Sequence, residues 1–293
     1  RAGYGDAPIV KRPVVLAHGI APFDALWRPV LRPGVRRHLN PHDKFDYFTG
    51  IASYLQVHGY SVYSPRVPWA ATATERAAAL KMRVDGIRAR TGADKVHIIA
   101  HSMGGLDARH MIVDFDMADH VATLTTVGTP HRGTSFANVG LAKMGWLIGA
   151  AKACGVDLAG FWNFSTEAAA AFNDRALDAE AQNPVHYATY AAHQDYAQVF
   201  TPLKLSWRII AKREGPNDGL VPMTSAAWTD RLKDKVVRQE TFPIPADHLN
   251  ELAWWDLSEL RPPQQPRKPF KAAVRDVYLK MARDADQTTN PST

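Results

Sequence analysis

A hydroxyl, a carboxylate and an imidazole can together make an alcohol nucleophilic, and this sequence offers one well-placed candidate for each. The hydroxyl is Ser102, within VHIIAHSMGGLDARHMI, residues 96–112. Ala100-His101-Ser102-Met103-Gly104-Gly105 follows the Gly-x-Ser-x-Gly frame of a nucleophile elbow, with alanine at the first small position. Such a turn is tight, so its neighbours must be small, and one methyl group intrudes less than a β-branched side chain. Alone, the string also reads as a helix N-cap. The apolar run VHIIA before it and LDARHMI after it supply the strand and helix that an elbow requires.

A serine becomes a nucleophile at neutral pH only when a base takes its proton and a third group holds that base. In the order Ser, acid, His, only one of the 12 histidines, His248, lies downstream of the best-placed acid, Asp218. His248 sits in PADHLNEL, a loop entering a helix, and Asp218 in the tight turn GPNDGLVP. The competing acids are Asp195, after a strand-like run; Glu214; Asp230 and Asp234, in a charged, helix-like face; and Asp247, which would point away from its neighbour. The oxyanion formed on a substrate needs backbone N–H donors, each worth about 3 kcal/mol in mutational precedent. Met103 would give one and Ile20, after His18-Gly19 in PVVLAHGIAPFD, the other, although His18-Gly19 also reads as a simple β-turn.

These residues need a scaffold. Over 293 residues, 46% hydrophobic and 22% charged content predicts one globular α/β domain spanning the chain. The net charge of +6 is scattered, its densest patch (Arg28, Arg32, Arg36, Arg37, Lys44) lying in a Pro-containing stretch without a nucleic-acid-binding motif, so no nucleic-acid partner is expected. Cys154 is the only cysteine, which excludes an internal disulfide and a cysteine metal site. No apolar run reaches the ~20 residues of a membrane span. The sequence opens on Arg1, so a leader removed earlier is compatible with it.

Strand-like runs at Val14–Ala17, Ser61–Ser64, Val96–Ala100, Val121–Val127, Val185–Ala191 and near Val236 alternate with helical patterns at Phe45–His58, Glu75–Arg90, Met103–Phe115 and Pro202–Arg213. This rhythm predicts a mostly parallel central sheet flanked by helices. Ala21–Lys44 reads as a long surface connection, residues 134–183 as a helical cap insertion, and 261–284 as a linker followed by an amphipathic helix from Lys271, with QTTNPST as a frayed tail. Leu141, Met144, Trp146, Leu147, Ile148, Phe161, Trp162 and Phe164 give the cap a large apolar area, with Gly140, Gly145 and Gly149 as hinge candidates. It is either a lid opening toward lipid or a permanently closed core helix.

With these pieces in place, the chain resembles the bacterial true lipases of the Pseudomonas and Burkholderia type, within the α/β-hydrolase superfamily. The resemblance runs from about Pro13 to Trp255 through VVLAHGIAPFD, FTGIASYLQVHGYSVY, TERAAALKMRVDGI, VHIIAHSMGGLDAR, TTVGTPHRGTSFA, NDGLVP and DHLNE. It implies hydrolysis of acylglycerol esters at a lipid–water interface, with Ser102 as nucleophile, Asp218 as acid, His248 as base, Ile20 and Met103 as oxyanion donors, and the insertion as a lid. It also implies a secreted or extracytoplasmic protein. Members usually bind a structural calcium through two aspartates; Thr201 and Asn250 stand at those positions, so no cofactor or metal is expected. A carboxylesterase or polyester hydrolase with the same triad, and a non-catalytic lipid-binding protein on this scaffold, are the alternative readings.

Overall fold

Runs rich in Val, Ile and Thr favour extended backbone, and in the computed structural model they line up as one sheet. The structure describes residues 11–19, 47–68, 71–143, 164–254 and 267–290. The first five strands are β1 (Val14–Ala17), β2 (Val62–Tyr63), β3 (Val96–His101), β4 (Val121–Val127) and β5 (His186–Ala191). A small antiparallel hairpin, β6 (Arg231–Leu232) and β7 (Lys235–Val236), precedes the last strand, β8 (Arg238–Thr241). The main sheet runs β2-β1-β3-β4-β5-β8, with every pairing parallel.

Parallel strands need crossover connections, and helices supply them. They are α1 (Ile51–Val57), α2 (Ala73–Thr91), α3 (Met103–Asp114), α4 (Ser135–Lys143), α5 (Thr166–Gln182), α6 (Lys204–Glu214), the short α7 (Met223–Ala226) and α8 (Arg267–Thr289). Side chains alternate across the sheet, so Val14 and Leu16 pack with Ile51, Leu55, Val274 and Tyr278, while Val15 and Ala17 pack with Leu80, Val84, Ala108 and Met111. Both faces are thus covered, and every residue of β1, β3 and β4 is buried. Among the described residues no helix is long and apolar enough to cross a membrane.

Several expectations shift. The strand near Val236 is not the last of the main sheet: that place goes to Arg238–Thr241, and Val236 belongs to the hairpin. Asp230 precedes that hairpin and Asp234 lies in its turn, rather than on a helix, because Lys233 turns the chain at φ 54°. The C-terminal helix extends through Thr289, since Met281, Ala282 and Ala285 continue its buried face. Of the helix expected over 45–58, the described part is Ile51–Val57. The connection 21–44, cap residues 144–163 and linker residues 261–266 lie outside the described residues. Both described ends of the insertion are tied to each other: Thr134 N–H donates to the Phe164 carbonyl at 2.9 Å, and Asn138 exchanges two hydrogen bonds with Thr166 at 2.8 and 3.2 Å. Phe164, expected on an apolar lid face, is 3% exposed and packs against Met103, Leu106 and Ala137.

Candidate active site

Where β3 ends and α3 begins, Ser102 adopts φ 55° and ψ −129°, a conformation costing a side-chain-bearing residue about 1–3 kcal/mol. The surroundings impose it. Ser102 N–H donates to the Val127 carbonyl at 2.9 Å, and its own carbonyl accepts from Thr129 Oγ1 at 2.8 Å and Gly105 N–H at 3.1 Å. A Cβ on Gly104 would lie 2.4 Å from the Ala17 carbonyl oxygen, so α3 leaves the elbow close against β1 only because glycine stands there. Gly19 crosses above, where a Cβ would come within 2.8 Å of Ser102 Cβ. Met103 opens α3, so its N–H lies among the orphan donors of a helix N-terminus. Ile20 lies outside the described residues, directly after Gly19.

Asp218 and His248 meet. His248 Nδ1 lies 2.7 Å from Asp218 Oδ2, with both side chains at most 3% exposed. The two loops are also stitched by His248 N–H donating to the Asp218 carbonyl at 2.8 Å. Asp218 Oδ1 accepts from Leu220 N–H at 2.8 Å and Val221 N–H at 2.6 Å, which fixes the carboxylate against the ring. The His248 ring centroid is 4.5 Å from that of His101, the neighbour of Ser102, so the pair is brought to the elbow. Among the described residues no hydrogen bond joins Ser102 Oγ to the ring; catalytic hydrogen bonds of this kind tighten in the substrate complex.

The competing acids are placed elsewhere. Asp247 accepts three backbone N–H groups, from Phe200, Leu249 and Asn250, and burial raises its pKa to about 6 against their pull. Glu214 accepts from Ser135 N–H at 2.7 Å, and Asp195 is exposed.

Two buried groups, His101 and Glu251, and the half-buried Tyr47 escaped the sequence reading. His101 bonds Tyr47 Oη through Nδ1 at 2.8 Å and Glu251 Oε2 through Nε2 at 2.9 Å. Burial, and then the nearby His248, hold His101 well below the usual imidazole range, whereas burial, Asp218 and Asp247 push Glu251 well above the carboxylate range. Their one legible signal was Glu251 standing three residues beyond His248, one turn away. A further clamp lies under the His18–Gly19 segment: Arg76 meets Asp107 at 2.6 Å, donates to Pro68 O at 2.8 Å and reaches the carbonyls of His18 and Gly19 at 3.5 Å.

Two arrangements bear on metals. His101, His248 and Glu251 offer ligand atoms within 4.8 Å of one another, yet His101 has both ring nitrogens engaged with protein groups. At the calcium position implied by the resemblance, Asn250 Oδ1 accepts from Asp247 N–H at 3.3 Å and its Nδ2 donates to the Trp254 carbonyl at 2.9 Å. Asn250 thus brings a neutral amide, engaged with the protein at both ends, where a hard cation prefers a charged oxygen, and this does not fit calcium.

Comparison with known proteins agrees with this architecture. The family model of the conditioned medium factor C-terminal domain matches residues 81–239. The chain is 27% identical over 281 residues to "Triacylglycerol lipase 2" of Saccharomyces cerevisiae, covering 83% of this chain and 81% of that protein. It is 36% identical over 131 residues to a triacylglycerol lipase of Burkholderia plantarii, covering 44% of this chain and 32% of that protein. Among solved structures, a mature Bacillus licheniformis lipase superposes with TM-score 0.59 at 20% identity, over 85% of this chain and 89% of that one. A metagenomic carboxyl esterase gives TM-score 0.63 at 18% identity, over 94% of this chain and 77% of that one. With the elbow, its parallel sheet and these matches together, the chain belongs to the conditioned medium factor C-terminal domain family and is a lipase-type member of the α/β-hydrolase superfamily.

Proposed function

We infer that the protein hydrolyses carboxylic esters of acylglycerols through an acyl-enzyme on Ser102. The observation that carries this reading is the buried Asp218–His248 pair at 2.7 Å beside a strained serine elbow. With Nδ1–H bound by Asp218, the lone pair of His248 Nε2 is directed elsewhere and accepts the Ser102 proton as Oγ attacks the ester carbonyl. The N–H groups of Met103 and Ile20 take up the negative charge on the carbonyl oxygen. His248 then passes its proton to the departing alcohol, and a water molecule deprotonated by the same ring frees the fatty acid and restores Ser102. In this reading the insertion 134–183 caps the site of a single domain, the protein works at a lipid–water interface outside the cytoplasm, and no metal or cofactor takes part.

A fluorophosphonate probe should label the wild type and leave Ser102→Ala unlabelled, with turnover lost on the order of a millionfold. Labelling that survives Ser102→Ala would overturn the assignment. Burial of Phe164 against Met103 favours a second reading, a plain carboxylesterase with a fixed cap. Rates on p-nitrophenyl esters and triacylglycerols of increasing chain length separate the two: a lipase gains rate above the solubility limit, and an esterase shows no such gain and prefers short chains.

A further inference from the structure

Behind the pair of Asp218 and His248 lies a buried polar chain that ester hydrolysis does not by itself require. Glu251 is fully buried, and its Oε1 finds no donor among the described residues. Glu251 Oε2 lies 3.9 Å from His248 Nδ1, the atom that Asp218 Oδ2 meets at 2.7 Å, so the two carboxyl groups face the same edge of one ring. A buried carboxyl group crowded against another acid and given few donors favours its neutral form. Donor supply decides which acid carries the proton. Asp218 already receives Leu220 N–H, Val221 N–H and His248 Nδ1, whereas Glu251 receives only His101 Nε2.

We propose that Glu251 is a neutral carboxylic acid that donates from Oε1 to Asp218 and, through His101 and Tyr47, ties the acid–base pair to the oxyanion loop. One set of proton positions satisfies every member. Tyr47 Oη rests against Gly19, where a Cβ would come within 2.7 Å of it; Tyr47 O–H donates to His101 Nδ1, His101 Nε2–H to Glu251 Oε2, and the proton on Glu251 Oε1 is directed to Asp218, which also accepts from His248. The chain thus links the segments bearing His248, Ser102 and Gly19, on three separate stretches of sequence. Around Glu251 the titratable groups are Asp218, Asp247, His101, His248, Tyr47 and Tyr278. Gly128 leaves the room it needs, since a Cβ there would lie 2.3 Å from Glu251 Oε2. Glu251, His101 and Tyr47 are positioning residues, and their role rests on the ester-hydrolase reading above.

Glutamine copies a neutral glutamic acid, its amide N–H replacing the acid O–H toward Asp218, and leucine breaks the chain. Glu251→Gln is therefore expected to lose less than about threefold in kcat, and Glu251→Leu roughly 10- to 100-fold with KM little changed. The acidic limb of the kcat/KM profile should stay in place in Glu251→Gln, because no charge is removed. At a pH above the titration of Asp107 and Asp247, infrared spectra should show a protonated carboxylic carbonyl band that Glu251→Gln abolishes. An ionised Glu251 would give the opposite set: no such band, a kcat loss in Glu251→Gln as deep as in Glu251→Leu, and an acidic limb moved down by about one pH unit or more as a negative charge leaves the ring. That set overturns the proposal, and the infrared and Gln results decide it even if Glu251→Leu fails to fold. Ser102→Ala, assayed in parallel, distinguishes this failure from failure of the hydrolase reading, which would show as turnover independent of Ser102.

Discussion

Two buried polar clusters sit on either side of the sheet, and they differ in how their charges are matched. Behind α3, Arg109 meets Glu180 through Nε and Nη2 at 2.7 and 2.8 Å, donates to Asn173 at 2.9 Å, and lies between the Trp228 ring at 4.0 Å and Phe172 at 4.8 Å. Charge, hydrogen-bond geometry and apolar cover all close there. Under the elbow, Asp218, Glu251, His101 and His248 crowd two acids and two imidazoles together, with no permanent cation joining them among the described residues. Burial alone is therefore no sign of chemistry; the sign is a cluster whose protons have more than one place to go.

Breaking each cluster should separate stability from turnover. The largest effect is expected for His248→Gln, which should abolish turnover on the order of a millionfold while removing one charge-assisted hydrogen bond worth about 1.5–3 kcal/mol, as read by kinetics and urea unfolding. Glu180→Ala reverses the pattern. It strands the buried Arg109 and should lower unfolding free energy by about 3–5 kcal/mol, with kcat per folded molecule within a few-fold of wild type. A Glu180→Ala protein that stays stable but loses turnover would erase the distinction. The smallest effect concerns the histidine loop, held at Asn250 by protein hydrogen bonds: EDTA should leave the melting temperature unmoved, and a loss on chelation restored by calcium alone would refute the metal-free reading.

Much of this was legible from order and pattern. β1 and β4 appear at their expected residues because continuous β-branched runs buried on both faces leave little alternative. Chain order singled out His248 and the tight turn GPNDGLVP singled out Asp218, the two side chains that lie 2.7 Å apart. β8 was not legible, because RQET carries no apolar signal: it is an edge strand held by backbone pairing to β5. Glu251, His101 and Tyr47 were hidden for a different reason. Tyr47 and His101 stand 54 residues apart and Glu251 another 150 beyond, so only the folded sheet brings them into one chain.

The knot between Thr134, Asn138, Phe164 and Thr166 closes the base of the insertion with three hydrogen bonds independent of what lies between residues 144 and 163. A segment anchored in this way is modular: its length and composition can be exchanged, by natural divergence or by grafting, while the sheet and elbow beneath keep their register.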